Sequence, residues 1–171
     1  DGHIIVSGTS QVGGSGYNVA LNRYSSTGSL DTTLDPVNTL NGTPTYTEGG
    51  SPVVLDADVQ IFDAELSSLN NFSGATLTLV RNGGANAEDV FSATGTLSLS
   101  SGNVVVSGTT IGTYSNSGGT LAFTFNGNAT QSLVNSAMRQ IAYSNSSDAP
   151  PASAQIAWTF NDGNTGAQGS G

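Results

Sequence analysis

The chain has 171 residues, with twelve acidic side chains against three arginines, no lysine and no cysteine, giving a formal charge of −9. That length supports one ordinary domain plus a smaller appendage, and the charge repels phosphate backbones and anionic lipid, which excludes nucleic acid and membrane surfaces as partners. Without cysteine there are neither disulfides nor thiolate metal sites, so any metal has to be a hard, oxygen-seeking ion such as calcium.

No apolar run approaches the roughly 18 residues of a membrane span, and Asp1 does not open a signal peptide, so the chain reads as mature and soluble, or as an excised piece of a longer one. In chain order, period-two alternation broken by Gly, Asn and Ser clusters predicts strands at 3–7, 17–24, 52–62, 75–81, 95–99, 103–107, 120–125 and 153–160. In 52–62, Val53, Leu55, Ala57, Val59 and Ile61 share one face, with Asp56, Asp58 and Gln60 on the other. Leu121, Phe123 and Phe125 share a face, as do Ala154, Ile156, Trp158 and Phe160, which supplies a core between two sheets. Helical spacing of Leu133, Val134, Ala137, Met138 and Ile141, with Asn128 and Gln131 as cap and partner, predicts one short helix at about 129–140. Pro150 and Pro151 put the next segment in a surface loop. The expected fold is an all-β sandwich (44–171) preceded by a β-hairpin segment (1–43), and because a lone hairpin is marginal in water, that segment should dock on the sandwich or on another chain.

Asp1, Gly2, Ile4, Val6, Gly8, Leu21, Arg23, Tyr24, Gly28, Leu30 and Asp31 in residues 1–34 resemble one unit of the bacterial repeat called delta-sixty, a propeller-like repeat normally found in series. The stretches "YTEGGSPVVLDADVQIFDAE", "NFSGATLTL", "GGANAEDVF", "LVNSAMRQIAYSNSSDAPPAS" and "IAWTFNDG" in 44–171 resemble the cadherin-like, immunoglobulin-fold repeats of large secreted bacterial surface adhesins. That resemblance implies a calcium-stabilised rod segment or adhesion module outside the cell. Members of this family continue past "NDG" with one more strand, so a final sandwich strand is expected to be missing here, leaving a slot that a neighbouring segment could fill.

The same resemblance assigns calcium ligands residue by residue. Glu48 opens the first strand, Asp63 and Glu65 are the paired acids before the "NF.G" turn, Glu88 and Asp89 form a second pair, and Asp162 closes the penultimate strand. Exposed acids on a low-pI secreted protein are an equally good account of any one of them, and Asp56 and Asp58 are expected to be solvated mid-strand residues. His3 has no obvious partner for a triad or zinc site. The paired carboxylates lack the aromatic platforms of a glycosidase, and the glycine runs lack the Lys-Ser/Thr of a phosphate cradle. The expectation is therefore a non-enzymatic extracellular structural protein that self-associates, in filaments completed by strand donation. The alternative is an adhesin module that binds glycan or peptide.

Overall fold

The computed structural model describes residues 4–11, 17–24 and 40–163, and the chain divides into two compact units, 1–38 and 39–171. The first unit contains β1 (Ile4–Gln11) and β2 (Tyr17–Tyr24), antiparallel partners along all eight residues from Ile4↔Tyr24 to Gln11↔Tyr17.

The second unit has two antiparallel sheets and two short helices, consistent with an all-β sandwich. The smaller sheet orders β3 (Val53–Val54), β10 (Ile141–Asn145) and β5 (Asp89–Ala93). The larger runs β11 (Ile156–Asn161), β4 (Thr76–Arg81), β9 (Thr120–Phe125), β8 (Thr109–Ser117), β7 (Asn103–Val106), β6 (Leu97–Ser100). The predicted inward faces hold for Leu121, Phe123 and Phe125 and for Ile156, Trp158 and Phe160, whereas Ala154 is exposed ahead of the strand. Leu77 and Leu79 of β4 lie opposite Phe123 and Leu121 of β9 and opposite Phe160 and Trp158 of β11, and they join Phe91, Ile141 and Tyr143 of the smaller sheet in one core. Phe72, Phe91 and Phe123 are its largest fully buried side chains.

Three strands had escaped the alternation pattern: β5, β8 and β10. β8 reads TTIGTYSNS, and its apolar Ile111 and Tyr114 fall out of alternation. β10 reads IAYSN and is buried on both faces, so its sequence does not alternate.

Predicted strand 52–62 is corrected to the two residues of β3. Leu55 N–H still reaches the Ile141 carbonyl at 3.0 Å, and beyond it the chain leaves the sheet and is held at Val59 and Ile61 by side chains along α2 (Gln131–Met138) and its C-cap. Gln131 donates to the Ile61 carbonyl, the Asn135 side-chain oxygen accepts from the Ile61 N–H at 3.0 Å, and Arg139 Nε donates to the Val59 carbonyl at 2.9 Å. These three residues recur every four positions along one helix face, adjoining the face that buries Val134, Ala137 and Met138. The segment thus satisfies its backbone without a ladder, while Val59 still enters the core.

The helix expected at 129–140 is α2, with Thr130 as its N-cap in place of Asn128. A second helix, unforeseen, is α1 (Ala64–Leu69), which ends at Asn70 in the left-handed conformation. Ser67 of α1 donates to Gln131, and Asn70 Oδ1 accepts from the Gln131 N–H at 2.9 Å, so both helices are tied at the same end of the sandwich. Gly119, with φ +79°, lies where a β-carbon would come within 1.9 Å of the Asn86 carbonyl oxygen, so the β8–β9 turn requires glycine.

Candidate functional site

Along β4 the side chains that point inward are Leu77, Leu79 and then Arg81, so the alternation drives a guanidinium between the sheets. Asp89, the first residue of β5 on the facing sheet, meets it. Arg81 Nε donates to Asp89 Oδ2 at 2.8 Å and Arg81 Nη2 donates to Oδ1, a bidentate pair. Tyr143 Oη and Asn145 Nδ2 of β10 also donate to Oδ1, at 2.7 and 3.0 Å. The Asp89 side chain is fully inaccessible and that of Arg81 is 18% exposed. Burial pushes the Asp89 carboxyl up, but Arg81, Tyr143 and Asn145 outweigh it and hold the group below the usual carboxylate range. Burial and the adjoining carboxylate push the Tyr143 phenol up.

Asp56 is the other buried acid, at 3% exposure, which corrects the expectation of a solvated strand face. Its Oδ2 accepts from the N–H groups of Asn41 and Gly42 at 2.9 and 2.7 Å, and its Oδ1 from Asp58 N–H at 3.1 Å. Burial opposes ionisation here too, yet those three donors keep the carboxyl below its ordinary value. Asp58, as expected, is exposed, and the neighbouring Asp56 carboxylate raises its acid group. The Asp56 clamp fixes one end of segment 40–46, and Tyr46 Oη, donating to the Asn145 carbonyl at 2.9 Å, fixes the other.

That segment lines a cleft of 690 Å³, a typical ligand-pocket size. Its walls include Val53 of β3, Tyr143 of β10, and Ile156 and Trp158 of β11, so it opens between an edge strand of each sheet. Asp56 is the one charged residue in its lining, and its oxygens are already engaged. The cleft therefore carries a single charge, the ionised Asp56 carboxylate, which is held by backbone N–H groups.

The six acids assigned to calcium divide between the two ends of β4, about 17 Å apart at 3.3–3.4 Å per residue. Glu88 and Asp89 lie at the Arg81 end, and Glu48 follows two residues after Tyr46, whose hydroxyl bonds Asn145. Asp63 and Glu65 lie with α1 at the other end, as does Asp162, just past Asn161, which pairs with Thr76. Asp63 is the N-cap of α1, its Oδ1 accepting from Glu65 N–H at 3.1 Å and Leu66 N–H at 2.8 Å. Glu65 sits exposed in the first turn, where a negative charge suits the helix dipole. Among the described residues no three acidic or histidine side chains come together as a cation cage, and the guanidinium of Arg81 stands where a cation at Asp89 would. The described residues do not fit the calcium set the resemblance implies.

Sequence reasoning took Asp56 for a solvated strand residue and did not single out Tyr143 or Asn145. Arg81 carried a legible signal, since a cation at an inward-facing strand position demands a buried carboxylate partner. The fold and the site define a two-sheet antiparallel sandwich, locked across its interior by one ion pair and open along one side. No family model matches the chain, and no curated protein or solved structure matches it either.

Proposed function

We propose that the chain is a non-enzymatic structural module of an extracellular surface assembly, an immunoglobulin- or cadherin-like sandwich that associates with further copies through its open side. The observation that carries this reading is the exposed flank at β11. It is the end strand of the larger sheet, paired only with β4 among the described residues, and the cleft lies beside it. An edge strand beside a groove is the geometry of strand addition. The two carboxylates held below the usual range, Asp56 and Asp89, are saturated by protein donors, which suits a structural role and not a proton-transferring one. Light scattering of the purified chain over a concentration series tests the proposal. Regular growth in mass supports it, and a monomer at every concentration sinks it.

The cleft also favours a second reading, the adhesin module for a neutral glycan or peptide. Tyr46, Tyr143 and Trp158 all line it, and flat aromatic surfaces suit sugar faces and apolar side chains alike. Trp158 is the sole tryptophan, so a glycan or peptide entering the cleft changes the intrinsic fluorescence. A glycan and peptide array without a hit that also alters that signal excludes this reading.

A further inference from the structure

We propose that Asn82 is a site of spontaneous deamidation, at which the backbone nitrogen of Gly83 displaces the side-chain amide and a neutral residue becomes a carboxylate. This goes beyond the structural reading above and does not depend on it.

The sequence offers three Asn-Gly pairs, at 41–42, 82–83 and 126–127. Asparagine is chemically labile, and a glycine after it leaves the attacking nitrogen unshielded by a β-carbon. The reaction closes a succinimide ring, so the glycine nitrogen and the asparagine Cγ must turn to face each other. The structure blocks that turn at two of the three pairs. Gly42 N–H is engaged by Asp56 Oδ2 at 2.7 Å, and the backbone there is so closely packed that a β-carbon would lie 2.1 Å from the Leu55 carbonyl oxygen. Asn126 is held at both ends of its amide, Oδ1 accepting from Asn128 N–H at 2.9 Å and Nδ2 donating to the Thr110 carbonyl at 3.2 Å.

Asn82 has neither restraint. With Gly83, Gly84 and Ala85 it is exposed in the connection from β4 to β5, in a turn closed by the bond from Gly84 N–H to the Arg81 carbonyl at 3.1 Å. Gly83 N–H has no partner among the described residues, and beyond the adjoining residues no atom lies within 4 Å of where a β-carbon on Gly83 or Gly84 would stand. The Asn82 amide is held at Nδ2 alone, by Oε1 of the exposed Gln155 at 2.7 Å. Few contacts therefore oppose the rotation that brings the nitrogen onto Cγ.

In the first step the Gly83 nitrogen bonds to Asn82 Cγ and the Cγ–Nδ2 bond breaks; the Gly83 amide proton leaves with Nδ2, which departs as ammonia. A solvent water then opens the ring. Attack at Cγ gives aspartate on the original backbone, and attack at the main-chain carbonyl gives isoaspartate, whose backbone is one methylene longer. Either product puts a negative charge where the Asn82 amide now meets Gln155, a residue of the cleft wall. The change lies beyond the Asn82 N–H, so its bond to the Gln155 carbonyl at 2.8 Å and the β4–β11 ladder before it survive. The modified protein stays folded, with a new charge beside the cleft.

The test incubates the folded full chain at mildly alkaline pH beside a sample unfolded in urea, and follows both by peptide mass mapping. Expected in the folded sample is the mass gain of amide-to-acid exchange at Asn82 first, with isoaspartate at that position, while Asn41, Asn82 and Asn126 all react in urea. Asn82→Gln, whose longer side chain closes the ring more slowly, should lose that early modification at unchanged circular dichroism. A folded chain modified first at Asn41 or Asn126, or at the three pairs alike, overturns the proposal. So does a folded chain in which Asn82 is intact after the pairs in urea have reacted. Should Asn82→Gln fail to fold, the order of modification in the parent chain decides.

Discussion

Replacing Arg81 by methionine keeps most of the aliphatic stem and removes the guanidinium, leaving the Asp89 carboxylate buried with only Tyr143 Oη and Asn145 Nδ2 as donors. Breaking a buried ion pair by deleting one partner costs about 3–5 kcal/mol. The two surviving donors and the partial exposure of Arg81 place this case just below that range, about 2–3 kcal/mol. With a urea slope of about 1–3 kcal/mol/M, the unfolding midpoint should fall by about 1–2 M at neutral pH. The pH dependence gives a sharper check. In the parent chain the Asp89 acid group lies below its unfolded value, so the pair's contribution is fully present above that value, about 3.9, and is lost as pH falls through the folded one. In Arg81→Met, burial is left to dominate and the folded acid group rises above its unfolded value, so acidification relieves the variant. The stability gap should narrow between about pH 7 and pH 4. Urea titrations of both proteins across that range, followed by circular dichroism, measure it. A gap under about 0.5 kcal/mol, or one that does not change with pH, refutes the assignment of Arg81 as the partner that keeps Asp89 ionised. Arg81→Met combined with Asp89→Leu should recover most of the loss, because an apolar pair of similar volume has no charge to bury.

Asp63→Ala should cost about 1 kcal/mol as a lost helix cap, and speed hydrogen exchange at the Glu65 and Leu66 amides without affecting the sheets. In Asn135→Ala the Ile61 N–H loses its acceptor, so destabilisation of about 1–3 kcal/mol is expected, with local exchange confined to residues 59–62 as the readout. Gly42→Ala would put a β-carbon 2.1 Å from the Leu55 carbonyl oxygen. It should detach segment 40–46 from the Asp56 clamp and expose it to limited proteolysis. If calcium, added to chelator-treated protein, raises the thermal midpoint more than magnesium does, the separation of the six assigned acids into two ends is refuted as the arrangement in solution; equal shifts are expected.

The faces of β4, β9 and β11 were legible in the sequence, because alternation of Leu, Phe and Trp with Thr and Asn admits one burial pattern for strands that cover a single core. α2 was legible for the same reason at the helical period. Local pattern misread 52–62, where the same alternation is satisfied by an irregular segment once Gln131, Asn135 and Arg139 reach across from α2. It also misread Asp56, since a carboxylate on the outer face of a strand and one clamping Asn41 and Gly42 look alike in sequence. β10 stayed hidden because a strand buried on both faces has no period to detect. The "DAE" acids were assigned to a cation by the family resemblance, and Asp63 instead accepts from two helix amides.

By itself, the sequence determined the all-β class, the faces that build the core and the acidity that sets the chain against anionic partners. These depend on periods and sums that survive any arrangement of the strands. Only the tertiary structure decided that Asp89 belongs to Arg81, that Asp56 is buried, that the six acids lie at two ends and that a cleft opens beside β11. Each of these depends on which groups far apart in the chain are brought within a hydrogen bond of one another. That is set by strand order and register, which no local pattern encodes.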